Sequence, residues 1–144
     1  MSQPVFGPEA LAHAEKALGE MSGSFEQWLE ADIAKLQAAR AAAAAANWCD
    51  VSLDAVWRAS HDLKGMGGTY GYPLVTQLAA SLCRLTETAA GKAAARANPA
   101  LVEAHVDGLR AAVSDRIATD AHPLGKALLE TLEAQVRQLG VAPR

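Results

Sequence analysis

The chain has 144 residues, 51% hydrophobic and 20% charged, with a net charge of −3. That length suits one domain, 1–144, large enough to bury a core without staples, and the composition excludes a disordered chain. The longest fully apolar run, Ala41–Ala46, falls far short of the ~20 residues that span a bilayer, and the acidic balance lacks a nucleic-acid binder's basic footprint.

Met1–Gly7 has no basic stretch followed by an apolar core, so no secretory signal is expected and the location reads as cytoplasmic. Two cysteines, Cys49 and Cys83, make neither a disulfide framework nor a four-ligand zinc site. The chain carries 33 alanines and 17 leucines, against few β-branched and aromatic residues. Alanine and leucine are strong helix formers, so an all-α fold is expected.

Glycines and prolines punctuate the helical patterns. A first helix is expected over about 8–20, opening at Pro8 and closing near Gly23. A second starts at Ser24, which forms a capping-box pattern with Gln27. Phe25, Trp28, Leu29, Ile33 and Leu36 recur at helical spacing, and the alanine run carries this helix to about 46. Asn47–Asp50 reads as a turn. A third helix covers about 52–70, capped by Ser52 or Asp50. The fourth begins at Pro73, sets Leu74, Val75, Leu78, Leu82 and Leu85 on one face, and ends before Gly91. Gly91–Ala97 reads as a basic connection or a frayed extension. The fifth starts at Asn98-Pro99 with the stripe Val102, Val106, Leu109, Val113 and Ile117. The sixth starts between Asp120 and Pro123, carries Leu124, Leu128, Leu132, Val136 and Leu139, and closes at Gly140. Amphipathic stripes joined by short links imply antiparallel neighbours in a bundle.

One segment breaks the alanine habit. Ser60–Gly71 holds glycines at 65, 67, 68 and 71. Each glycine inside a helix costs about 1 kcal/mol relative to alanine. Either the helix ends here or something must approach its backbone closely. The seam Leu53, Val56, Ser60, Leu63, Gly67, Tyr70 faces the core. At about 100° per residue His61 lies at the solvent boundary, with Trp57, Lys64, Gly65 and Gly68 within about 60° of it. A surface imidazole, whose ordinary pKa is about 6.5, offers a neutral nucleophilic nitrogen near pH 7. Lys64 suits a phosphoryl group as a mobile point charge. Bare backbone at Gly65 and Gly68, flanked by Trp57, would admit a partner's active site.

The string His61-Asp-Leu-Lys64-Gly65, then Gly68, then Tyr70-Gly71, resembles the histidine-containing phosphotransfer (HPt) domains of multistep phosphorelays. That family's pattern is His-x-x-Lys-Gly, followed by a large apolar or aromatic residue and a glycine where Tyr70 and Gly71 stand. The run Leu74, Leu78, Leu82 resembles the helix that pairs with the histidine helix. The resemblance implies an antiparallel four-helix bundle with additional N-terminal helix, its core spanning about 24–140. It implies that His61 carries the phosphoryl group, that Lys64 supports it, and that Gly65, Gly68 and Trp57 border the docking face. The partners it implies are receiver domains of response regulators or hybrid histidine kinases, with the magnesium in the receiver and no cofactor or metal here. It implies a carrier without kinase activity, a monomer, and no nucleic acid or membrane partner. Where some members carry a glutamine that orients the imidazole, this chain has Cys83; Arg84 and Gln77 are possible substitutes.

Asp62 after the histidine also resembles the His-Asp/Glu-Leu box of sensor-kinase dimerisation domains, although Met66 stands where that box carries proline. No Gly-rich nucleotide-binding region is present. A degenerate kinase-type dimer and a helical adaptor without chemistry are the alternatives. His13, His105 and His122 read as surface or helix-end residues, His105 as half-buried. Trp28, Trp48 and Trp57 read as packing residues, and Cys49 and Cys83 as inert core thiols.

Overall fold

The computed structural model describes residues 8–141, and helices are their only regular secondary structure. The order is α1 (Pro8–Ala45), α2 (Asp50–Thr69), α3 (Pro73–Glu87), α4 (Ala89–Ala97), α5 (Pro99–Ser114) and α6 (Pro123–Gln138). Met1–Gly7, on which the reading of a missing signal rests, lies outside the described residues.

Four helices close a ring: α1 packs on α2, α2 on α3, α3 on α5, and α5 back on α1. Short links at 46–49 and 70–72 make the first three helices antiparallel neighbours. The core is aliphatic: Leu29, Leu36, Leu53, Val56, Leu63, Leu74, Val75, Leu78, Leu82, Leu85, Val102 and Leu109 are all fully buried. Burying such side chains stabilises the fold by about 1.5–3 kcal/mol each. The short α4 packs on α3 and α5, and α6 lies along the outside of the same two helices.

Several boundaries differ from the sequence expectation. The two helices expected to meet near Gly23 are one helix of 38 residues. Ser24 and Gln27 therefore lie inside α1 and not at the start of a helix. Glycine lowers helix stability but need not stop a helix, and the chain continues as α-helix through Gly23. Side chains over 8–17 are exposed, and the buried face starts at Leu29. At the next turn Asn47 and Trp48 take left-handed φ values of 54° and 57°. The N-cap of α2 is Cys49, not Ser52 or Asp50, and Ser52 Oγ donates back to the Cys49 carbonyl at 2.7 Å.

Gly91–Ala97 belongs to a helix of its own, capped by Thr88, whose hydroxyl accepts from Gly91 N–H at 3.0 Å. Gly91 is inside it because a Cβ there would stand 2.7 Å from the Arg84 carbonyl. Asn98 precedes α5, but its amide donates to Ala94 O at 3.0 Å and so closes α4 instead. Arg96 of α4 pins the first turn: its Nε donates to the Trp48 carbonyl at 3.1 Å, and its guanidinium pairs with Asp50. Ile117 lies beyond α5. In α6, Leu124 is exposed and Gly125, Leu129, Leu132 and Val136 form the buried face, so the expected stripe is rotated by a residue at its start, while Leu139 is exposed just beyond the helix.

Candidate functional site

The site is built on α2 and the start of α3. The core seam of α2 is as spaced in the sequence: Leu53, Val56, Ser60, Leu63 and Gly67 are buried. Ser60 is tolerated there because its hydroxyl donates to the Val56 carbonyl at 2.7 Å. Rotation by one residue from Ser60 then places His61 in solvent. His61, Lys64, Gly65 and Gly68 are all exposed, and Trp57 beside them is half-buried. The structure thus brings all five expected site residues to one face of one helix.

α2 ends by a Schellman closure. Gly71 takes φ +83°, its N–H donates to Gly68 O at 3.2 Å, and Tyr72 N–H donates to Gly67 O at 2.7 Å. The glycines before it have different reasons. A Cβ on Gly67 would stand 2.7 Å from Thr76 N and 2.9 Å from Tyr72 O, so α3 could not approach α2 with any larger residue there. A Cβ on Gly65 would meet nothing within 4 Å, and one on Gly68 only Thr76 Oγ1 at 3.8 Å. Nothing among the described residues requires either exposed glycine.

Thr76 is a residue the sequence reading missed. Its hydroxyl donates to the Lys64 carbonyl at 2.9 Å and accepts from Gly68 N–H at 2.8 Å. One side chain of α3 therefore fixes the α2 backbone at both Lys64 and Gly68. No sequence signal marks it, because its partners are backbone atoms of residues with no side-chain pattern of their own.

The His61 ring lies parallel to the Trp57 indole, with centroids 5.0 Å apart and an interplanar angle of 17°. His61 has no hydrogen bond or ion pair among the described residues. Neither suggested substitute for the glutamine reaches it: Arg84 pairs with Glu133 of α6 at 3.7 Å, and Gln77 lines a hollow with Lys126, Leu129 and Glu133, also of α6. Cys83 is buried, and burial pushes its thiol up to about 11 while the nearby Lys64 charge opposes the shift. Cys49 is exposed rather than in the core, and a hydrogen bond with Ser52 lowers its pKa.

His105 is not half-buried but wholly so, at 0% exposure. Its ring sits 2.8 Å from the Leu101 carbonyl through Nδ1 and 2.8 Å from Ser81 Oγ through Nε2. A carbonyl only accepts, so Nδ1 carries the proton and the Ser81 hydroxyl donates to Nε2. Burial lowers the His105 pKa to about 4, so this histidine is a neutral core residue. Trp48 is buried as expected, whereas Trp28 is 52% exposed, packed in an aromatic trio with Phe25 and Tyr70. His122 caps α6, its Nδ1 accepting from Leu124 N–H at 3.2 Å.

No helix among the described residues is long and apolar enough to cross a membrane. A family model described as Hpt domain matches residues 20–141 of the chain. No curated protein and no solved structure matches it.

Proposed function

The chain belongs to the Hpt domain family of phosphorelay signalling, and from that premise we propose that His61 is its phosphoryl-carrying residue. The family assigns a phosphotransfer carrier role and receiver or kinase partners. The position of the carrier residue is our own reading. The observation that supports it is the exposed imidazole of His61 beside Lys64 and two exposed glycines that no contact among the described residues requires.

In this reading a receiver aspartyl phosphate docks over Gly65 and Gly68, with Trp57 at the border. The in-plane lone pair of a neutral His61 ring nitrogen attacks phosphorus. The N–P bond forms as the P–O bond to the aspartate breaks, and the electron pair leaves with the carboxylate. Lys64 offsets the negative charge of the phosphoryl oxygens as a mobile ammonium. The reverse step loads a second receiver. The magnesium that assists belongs to the receiver, and the chain supplies neither nucleotide site nor kinase activity of its own.

Each glycine lowers helix stability by about 1 kcal/mol relative to alanine. That cost is repaid only if a partner's surface comes closer than a methyl group allows. The test is a relay: a receiver charged by a small-molecule donor, this protein, and a second uncharged receiver. The expected result is label passing to the second receiver only when this chain is present. Equal labelling without it would overturn the carrier reading.

A further inference from the structure

We propose that Trp57 is the positioning residue for the His61 imidazole, taking the place of an orienting hydrogen bond. The assignment rests on the carrier reading and deepens it.

An exposed imidazole with no hydrogen-bond partner turns freely, because the torsion that sets its ring plane has a broad profile. A phosphoacceptor cannot afford that freedom, since the attacking lone pair lies in the ring plane and must point along the breaking P–O bond. In this chain Cys83 lies buried, Arg84 is engaged with Glu133, and Gln77 faces α6. Among the described residues, what stands against the ring is the indole one helical turn earlier, at the i,i+4 spacing that brings side chains face to face. The rings are near parallel, at 17°, with centroids 5.0 Å apart.

A face-on stack suits this chemistry where an edge contact would not. It fixes the plane of the ring while covering only a face. Both ring nitrogens, whose bonds lie in the plane, stay open at the edge. Attack on phosphorus converts the neutral ring into an N-phosphoryl imidazole with cationic character until its remaining N–H proton is lost to water. A cationic ring over an indole face is favoured. The stack thus supports the product as well as the approach. Trp57 also comes before the histidine on the helix, on the side away from Gly65 and Gly68, so it orients the ring without occupying the open backbone.

The experiment compares wild type with Trp57→Phe and Trp57→Ala. Two readouts are taken: the His61 ring-proton chemical shifts of the free protein, and the single-turnover rate of phosphoryl uptake against receiver concentration. Stacking moves the ring protons upfield in the wild type and in Trp57→Phe, and the displacement is lost in Trp57→Ala. Trp57→Ala lowers the saturating rate about 2- to 10-fold, the range expected from one aromatic pair, whether or not the half-saturating concentration also moves. Trp57→Phe restores most of the rate. An unchanged saturating rate in Trp57→Ala would overturn the proposal, as would a change confined to the half-saturating concentration, which marks a docking contact. Unshifted ring protons in the wild type would overturn it too. The shift measurement needs no phosphoryl group, so failure of the stack is separable from failure of the carrier reading, in which the wild type takes up no label.

Discussion

Three glycines within four positions of α2 carry opposite consequences. At Gly67 a methyl group would collide with the backbone of α3. Gly67→Ala should therefore destabilise the protein by about 1–3 kcal/mol, the usual range for overpacking. At Gly65 the space is open. Gly65→Ala should stabilise by up to about 1 kcal/mol and slow phosphoryl transfer at the same time. Denaturant midpoints and transfer rates on the two variants check both signs; a Gly65→Ala protein that is less stable, or that transfers at the wild-type rate, contradicts the account. Lys64→Ala should slow transfer without abolishing it, and an unchanged rate would remove Lys64 from the site. His105 makes a separate prediction. Its pKa is about 4 in the fold against about 6.5 in an unfolded chain. Between those values the unfolded state binds a proton that the folded state does not. The contribution is complete above pH 6.5 and is lost on acidification toward pH 4, at up to about 1.4 kcal/mol per pH unit. Denaturation at pH 7, 6 and 5 should show falling stability, and a flat profile would mean that His105 is not held neutral.

At the scale of elements, the pairing of α2 with α3 decides the shape of the site. Thr76 ties α3 to the backbone of α2 at Lys64 and Gly68. Thr76→Val keeps the shape and removes the hydroxyl. It should cost about 1–3 kcal/mol by leaving polar backbone groups unpaired, and amide exchange should quicken at Gly68 before elsewhere in α2. Uniform exchange across the helix would count against this clip. The sequence reading recovers α2, α3 and their buried seams, because the apolar residues recur there at strict helical spacing. It divides α1 in error, because Gly23 and a Ser24-Gln27 capping pattern imitate a boundary, whereas α1 continues through them. It leaves Gly91–Ala97 of α4 as a connection or a frayed extension, because alanine-rich segments show no stripe. The cap at Thr88 is local, but the ion pairs of Arg96 with Asp50 and Lys92 with Asp54, which tie that helix to α2, are long-range.

For the whole molecule, the fold class and the exposed face of α2 are legible in the sequence. His61, Lys64, Gly65 and Gly68 share a face through spacing alone, which needs no knowledge of the partner helices. What is not legible depends on distance in sequence: the buried Ser81–His105 pair from α3 and α5, and the engagement of Arg84 by α6. A histidine's own segment does not tell a core residue from a surface one unless the stripe beside it is unambiguous. At 61 it is, and at 105 the residue lies next to Val106 on a face that α3 covers.

The most direct measurement maps the phosphoryl group on the intact protein. The wild type and His61→Gln are loaded from a phosphorylated receiver and held in alkali, and the label is located by mass spectrometry of proteolytic fragments. The account predicts acid-labile label on His61 of the wild type and none on His61→Gln, with thermal unfolding of the variant within about 0.5 kcal/mol of wild type, as for an exposed substitution. Label retained by His61→Gln, or located on another histidine, would contradict it.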